Sequence, residues 1–456
     1  MNGRTLARYL GVALTVSPAL IAIAGDTSPA DSTPPVAATD QAYREPLPDL
    51  TPADLDLFEE GRKSFAQHWV VAPSILGLWG RGPTSNGEAC TDCHVNGGRG
   101  RASDSTTTEL PSMLVRLSIP GTGAHGAPRP DPGYGDQLQE EGILGRVPAE
   151  GRALISWSEF DVTLADGEVV RLRRPHLEMH DLAFGALTAD VMTSVRVAPA
   201  LIGVGLIEAI PEQAILAQEQ RQGTLNLGGH ANRVWDSVRQ REAIGRFGHK
   251  SNQPHLLQQV LTAYHTDLGV TSRWFPEENC PAAQLQCRAE PPGGHPELPP
   301  AFLDPVMFHL RSLAAPRRRA TQDERVLRGE QSFHAAGCAD CHLPQWRTAH
   351  DAAPATLADR VIHPYTDLLV HDLGEGLADG RPDFQAGGRE WRTAPLWGLS
   401  SSAAVNGNAD LLHDGRARNA VEAILWHAGE AQRSREAFTK MTRSERAALI
   451  AFLQSL

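Results

Sequence analysis

The chain has 456 residues, with 42 Lys and Arg against 54 Asp and Glu and a formal net charge of −12. Its hydrophobic fraction is 41% and its charged fraction 21%, the balance of a globular protein with a real core. No basic run is longer than Arg317-Arg318-Arg319, which argues against nucleic acid as a partner, because phosphate binding needs a concentrated positive face.

At the start of the chain, Arg4 and Arg8 precede an apolar run from Tyr9 to Ile23, and Ala22-Ile23-Ala24 is a small-residue cleavage pattern. Residues 1–24 are therefore expected to be an export signal. The run is too short, and too interrupted by Pro18, for a membrane span of about 20 residues. Residues 25–48 are rich in Pro, Ser, Thr, Ala and Asp and read as a flexible leader. The mature protein is expected to be periplasmic and soluble, not membrane-spanning.

The six cysteines fall into three pairs. Cys90-Thr91-Asp92-Cys93-His94 and Cys338-Ala339-Asp340-Cys341-His342 are both C-x-x-C-H, the attachment pattern of c-type haem. Two thiols add to the haem vinyl groups, and the adjoining His94 or His342 ligates the iron. A zinc site would need further Cys/His pairs at short spacing, and a thioredoxin motif a βαβ setting; neither pattern is present. Two covalently bound haems c are therefore expected. Cys280 and Cys287, in a Pro-rich loop, are expected to close a local disulfide in an oxidising compartment.

The same elements recur around each motif. A capped helix comes first, at Thr51-Pro52 and at Thr321 with Glu324. These helices carry Gly61-Arg62-Lys63-Ser64-Phe65 and Gly329-Glu330-Gln331-Ser332-Phe333. An R-x-A-P segment follows each C-x-x-C-H, at Arg196–Pro199 and Arg392–Pro395, and each half closes on an amphipathic helix. In the last of these, Leu449, Phe452, Leu453 and Leu456 form one apolar face behind a Thr442/Glu445 capping box. The expected fold is mainly α, with two cytochrome c-like haem domains at residues 49–315 and 316–456. The first is enlarged by insertions that include a small β-hairpin, Ile155–Leu164 with Glu168–Leu172 around Asp166-Gly167.

Trp391–Leu399, Leu412–Ala417 and Glu422–Ala431, with Tyr134–Gln139, Ala198–Pro211 and Gly245–Lys250, resemble the bacterial di-haem oxidoreductase family. More distantly, R-x-A-P followed by L-H-D-G is similar to the C-terminal haem domain of di-haem cytochrome c peroxidases and of the tryptophan-modifying di-haem enzymes. The resemblance implies a periplasmic protein that passes electrons between two haems and carries peroxidase-type chemistry at one iron. A small oxidant such as peroxide and a redox-protein donor would be its partners. The alternatives are an electron-transfer cytochrome without its own substrate, or a redox-sensing partner protein.

The resemblance also implies site residues. The related peroxidases take their second C-terminal ligand fourteen residues after the His of H-D-G, which is His427 here, while His413 would lie beside the haem. Arg392 and Arg416 would pair with haem propionates, since guanidinium forks suit carboxylates. For the first iron, Met113, Met179, Met192, Met307, His249, His255 and His265 are open candidates. Glu208, an acid in an apolar run, is the candidate catalytic proton donor. A structural Ca2+ between the modules would follow the same analogy, but no ligand loop announces one.

Overall fold

The computed structural model describes residues 39–73, 79–103 and 112–456. The expected export signal and most of the leader lie outside them. The described residues form one compact unit. No helix of the described residues is long and apolar enough to cross a membrane.

Both capped helices form, though not both as expected. Thr51 caps Pro52–Phe65 in a capping box with Asp54. At the second, Asp323 rather than Thr321 is the cap: its Oδ1 accepts from the backbone N–H of Arg325 and Val326 and starts the helix Glu324–Ala335. Each helix buries an equally spaced set, Phe58, Gly61 and Phe65 in one, Val326, Gly329 and Phe333 in the other.

The partner helices are Pro300–Arg311 and Arg443–Leu453. A Cβ on Gly61 would overlap the carbonyl oxygen of Pro305, and one on Gly329 that of Ala448. Only glycine allows backbones to cross this closely, so the two modules share one helix-crossing geometry. In the second, Phe452, Leu449, Leu453 and Leu456 close over Phe333 and Tyr365 in a buried core.

The mainly α expectation is overturned, because the described residues are 31% helical and 20% strand, with many small sheets. Met113–Thr122 pairs antiparallel with Met192–Val197 and with Pro128–Arg129. The hairpin is longer than its turn signal suggests. Arg152–Thr163 pairs residue by residue with Val169–His180. Period-two alternation carries both strands well past the Asp-Gly turn. Its tip belongs to the second module's core, where Leu164 and Leu172 are buried. Arg446 clamps Asp166 and Glu168 at 2.7 and 2.6 Å, and Arg418 reaches Glu159 at 2.9 Å. Cys280 and Cys287 form the expected disulfide.

Two outcomes follow from this packing. Gly329→Ala forces the 324–335 helix off its partner and is expected to cost about 1–3 kcal/mol, read as a lower Tm; unchanged melting would refute the crossing. His309 is buried against the Phe58 ring, centroids 4.4 Å apart, and burial pushes its imidazole down to about 4. The unfolded value is about 6.5, so stability is full above that pH and falls as pH drops toward 4. His309→Gln is expected to flatten this acid slope by on the order of 3 kcal/mol in denaturant titrations.

Candidate functional site

Both C-x-x-C-H motifs open onto one continuous cavity of about 570 Å3. Asp92 Oδ2 accepts from the backbone N–H of Glu88 and Ala89 and starts the helix Cys90–Cys93. Gly337, at φ 81°, turns the chain into the second motif. In both, the histidine N–H donates to the carbonyl of the first cysteine, at 3.0 and 2.9 Å, fixing where the imidazole leaves the backbone.

The two imidazoles sit in matched surroundings. Nδ1 lies 3.3 Å from Gly98 O for His94 and 3.0 Å from Tyr365 O for His342. The tautomer that donates through Nδ1 leaves Nε2 with its lone pair, the form that binds a metal. Phe65 lies 6.4 Å from the His94 ring and Phe333 6.3 Å from that of His342. Burial pushes both imidazoles down to about 4, so they stay neutral at physiological pH. It also pushes the thiols of Cys90 and Cys338 up to about 12 and raises Cys93 and Cys341, so none is poised as a thiolate nucleophile. Unactivated paired thiols beside a neutral, half-buried imidazole, on a large cavity, fit thioether attachment to haem.

The propionate candidates separate. Arg392 lines the cavity, half-buried, with Nε donating 2.9 Å to Gly248 O. Arg416 does not line it; Asp414, at 2.6 Å, and Gly376 O hold it in place, so the expected propionate pairing is not available to it. Sequence reasoning missed Arg99. It lines the cavity five residues after His94, and its buried Nε has no partner. An orphaned guanidinium N–H there suits a carboxylate guest.

His413 lines the cavity but is stacked on Trp391, ring centroids 3.6 Å apart, and burial holds it well below its usual range. Its carbonyl accepts from Val197 N at 2.8 Å, while Arg392 N donates to His249 O at 2.8 Å. The two R-x-A-P segments are thus interlocked crosswise. His427 lines the cavity too; its Nδ1 lies 2.7 Å from Ala423 O, leaving Nε2. After burial, the charge of His427 is the largest influence lowering His342, which places the two imidazoles near each other.

The candidate ligands for the first site fare differently. None of the four methionines lines the cavity. His255 is consumed as the cap of the helix Leu256–Asp267, with Nε2 on Asp236, and His265 faces Glu277 O. His249 lines the cavity, but its Nε2 is held by Val197 O at 2.8 Å.

Two helices that line the cavity differ at one step. Helix 256–267 is capped by His255, and helix Ala420–Trp426 by Asn419, each side chain accepting from the third residue on. The cavity is lined by Leu256, Gln259, Val260 and Ala263 in one, and by Ala420, Ala423, Ile424 and His427 in the other. These fall at the same steps from each cap, and Thr262 and Tyr264 also line the cavity from the first helix. Where the second module has His427, the first has Ala263.

Glu208 is not in the cavity. Its carboxylate pairs with Arg311 at 2.7 Å and accepts from Leu256 N at 2.9 Å, beside a separate hollow of about 330 Å3. It is therefore a structural cap on helix 256–267, and the proton-donor expectation fails on position. Among the described residues, the one group of three metal-type side chains is Cys341, Asp367 and His371. A thiol and an imidazole do not make the oxygen cage Ca2+ requires. Glu208→Gln is expected to lower stability by about 1–3 kcal/mol while leaving the optical spectrum of haem-loaded protein unchanged; a spectral shift without loss of stability would contradict this placement.

No curated protein matches the chain. A solved structure of Kuenenia stuttgartiensis hydrazine synthase under xenon pressure matches over 100% of both chains at 12% identity, with a TM-score of 0.36, a likeness that carries no argument. The family model described as "Di-haem oxidoreductase, putative peroxidase" matches residues 27–456. The chain belongs to this di-haem oxidoreductase family.

Proposed function

We propose that the protein is a periplasmic di-haem c-type peroxidase. Its haems are joined to Cys90/Cys93 and Cys338/Cys341, with His94 and His342 as proximal ligands. His427 would also hold the C-terminal haem, and a redox-protein donor would supply electrons at that site. Hydrogen peroxide is reduced at the N-terminal iron. The observation that carries this reading is Ala263. At the eighth residue after each cap, the second site has His427, just past the end of its helix, and the first has Ala263, which offers only a methyl group.

Bound haem supplies the iron that passes electrons and on which a peroxide bond is broken. The protein's part is to hold and to exclude. Neutral His94 and His342 donate Nε2 lone pairs, each oriented through Nδ1. Arg99 and Arg392 neutralise carboxylates inside the cavity. His427, anchored on Ala423 O, closes the second site to small oxidants, while Ala263 leaves room at the first. The Cys280–Cys287 disulfide supports an oxidising compartment, as does the N-terminal signal pattern.

Full-length protein made in a host that attaches haem c is expected to gain the mass of two haems. Replacing Cys90 and Cys93, or Cys338 and Cys341, with alanine is expected to remove one. Ferric EPR is expected to show one high-spin and one low-spin centre. Ala263→His is expected to convert the high-spin signal to low-spin and take peroxide turnover to background. Two low-spin centres in the wild type, inert to peroxide after half-reduction, would instead establish an electron-transfer cytochrome.

A further inference from the structure

We propose that Asp267 is the acid–base group of the N-terminal site, moving the proton that peroxide cleavage requires. This rests on the reading of the first iron as open. The geometry comes from the same helix. Asp267 continues the cavity-lining stripe one turn beyond Ala263, about 6 Å along the axis at 1.5 Å per residue. In the second module the residue at the same count from the cap is Ala431, which lines the cavity from the 3-10 turn beyond the end of its helix. In step with the caps, the second module has His427 where the first has Ala263, and the first has Asp267 where the second has Ala431.

Three acids line the cavity, and the other two belong elsewhere. Asp340 lies inside the second C-x-x-C-H motif, and Glu430 is bound to His371 at 2.9 Å. Asp267 stands beside the first motif, and its charge is the largest electrostatic influence on both Cys90 and Cys93.

Its carboxylate is also oriented. Oδ1 accepts from Gln137 Nε2 at 3.0 Å and Thr266 Oγ1 at 3.1 Å, and its backbone carbonyl from Asn86 N at 2.7 Å. The charged or titratable groups facing it are Arg116, from the strand 113–122, Asp136 and the two thiols. Burial raises the carboxyl above the usual carboxylate range, which eases both taking up a proton and giving it back.

In the step, the Asp267 carboxylate takes the proton from the peroxide oxygen nearer the iron and delivers it to the far oxygen. The O–O bond breaks and the far oxygen leaves as water. Two electrons from the redox-protein donor and two protons from solvent then release the near oxygen as a second water. Per turnover, one hydrogen peroxide, two electrons and two protons give two waters.

The test uses the full-length di-haem protein. Stopped-flow rates are measured with hydrogen peroxide on half-reduced protein and with cyanide on ferric protein, because hydrogen cyanide must also surrender a proton to bind. Asp267→Asn is expected to slow the peroxide reaction about 10²–10⁴-fold and cyanide association in parallel, with both EPR signals unchanged. Asp267→Glu is expected to recover peroxide rates to within about tenfold of the wild type. Wild-type rates in Asp267→Asn for both reactions would overturn the assignment. Should that variant not accumulate, Gln137→Met decides. Losing the Nε2 donor disfavours the carboxylate, so the pH midpoint of cyanide association must rise, and an unmoved midpoint overturns the proposal. A wild-type protein that takes up no cyanide would sink the open-iron reading itself, and this assignment with it.

Discussion

A neutral, half-buried imidazole, oriented through Nδ1 by a backbone carbonyl, is the constraint that the rest of the cavity serves. Desolvation disfavours the charged ring, and the carbonyl selects the tautomer. Neither works unless the histidine sits under a lid, and each lid is the same object: a Gly-containing helix crossed tightly by the module's last helix, with Phe65 or Phe333 over the ring. The close crossing at Gly61 and Gly329 brings that aromatic within reach. A bulkier residue would lift the lid and admit water to the imidazole.

The modules share this proximal side and diverge on the other. His427 has left the helix, with φ −65° and ψ 129°, where the chain turns toward the short 3-10 turn Gly429–Ala431. Ala263 lies inside a helix that runs on to Asp267. Whether the helix ends or continues therefore decides what the cavity receives. Ending places an imidazole at its rim, and continuing places a methyl group there with a carboxyl one turn later.

Much of this was legible in the sequence. The C-x-x-C-H spacing, the R-x-A-P repeats, the Thr51 and Thr442 caps, the disulfide and the hairpin turn are local signals, and the structure places each of those elements where expected. Illegible parts were of three kinds. Strands such as Met113–Thr122 are short alternating runs that a reading centred on haem helices passes over, which is why the mainly α expectation failed. The true position of Glu208 depends on Arg311, more than a hundred residues away, so its apolar flanks gave no hint of the ion pair. Ala263 is silent as a residue; it gains meaning only when the caps His255 and Asn419 are superposed. Arg99 did have a signal, a basic residue just after a haem motif, but burial was needed to read it.

Charge separates this cavity from the chain around it. The protein is acidic overall, at −12, yet the cavity is lined by six arginines (Arg99, Arg116, Arg196, Arg392, Arg433 and Arg435) and three acids. Buried guanidinium groups without counter-charge are costly, and Arg99 and Arg392 are both pushed down to about 10 by burial. Some of the cost is offset inside the protein, where Arg196 meets Asp383 at 2.6 Å. Arg99 has no such partner in direct contact, and Arg392 donates to a backbone carbonyl. A guest that brings carboxylates of its own would supply the missing charge. Haem brings propionates, so the excess of arginine has the sign that such a guest requires.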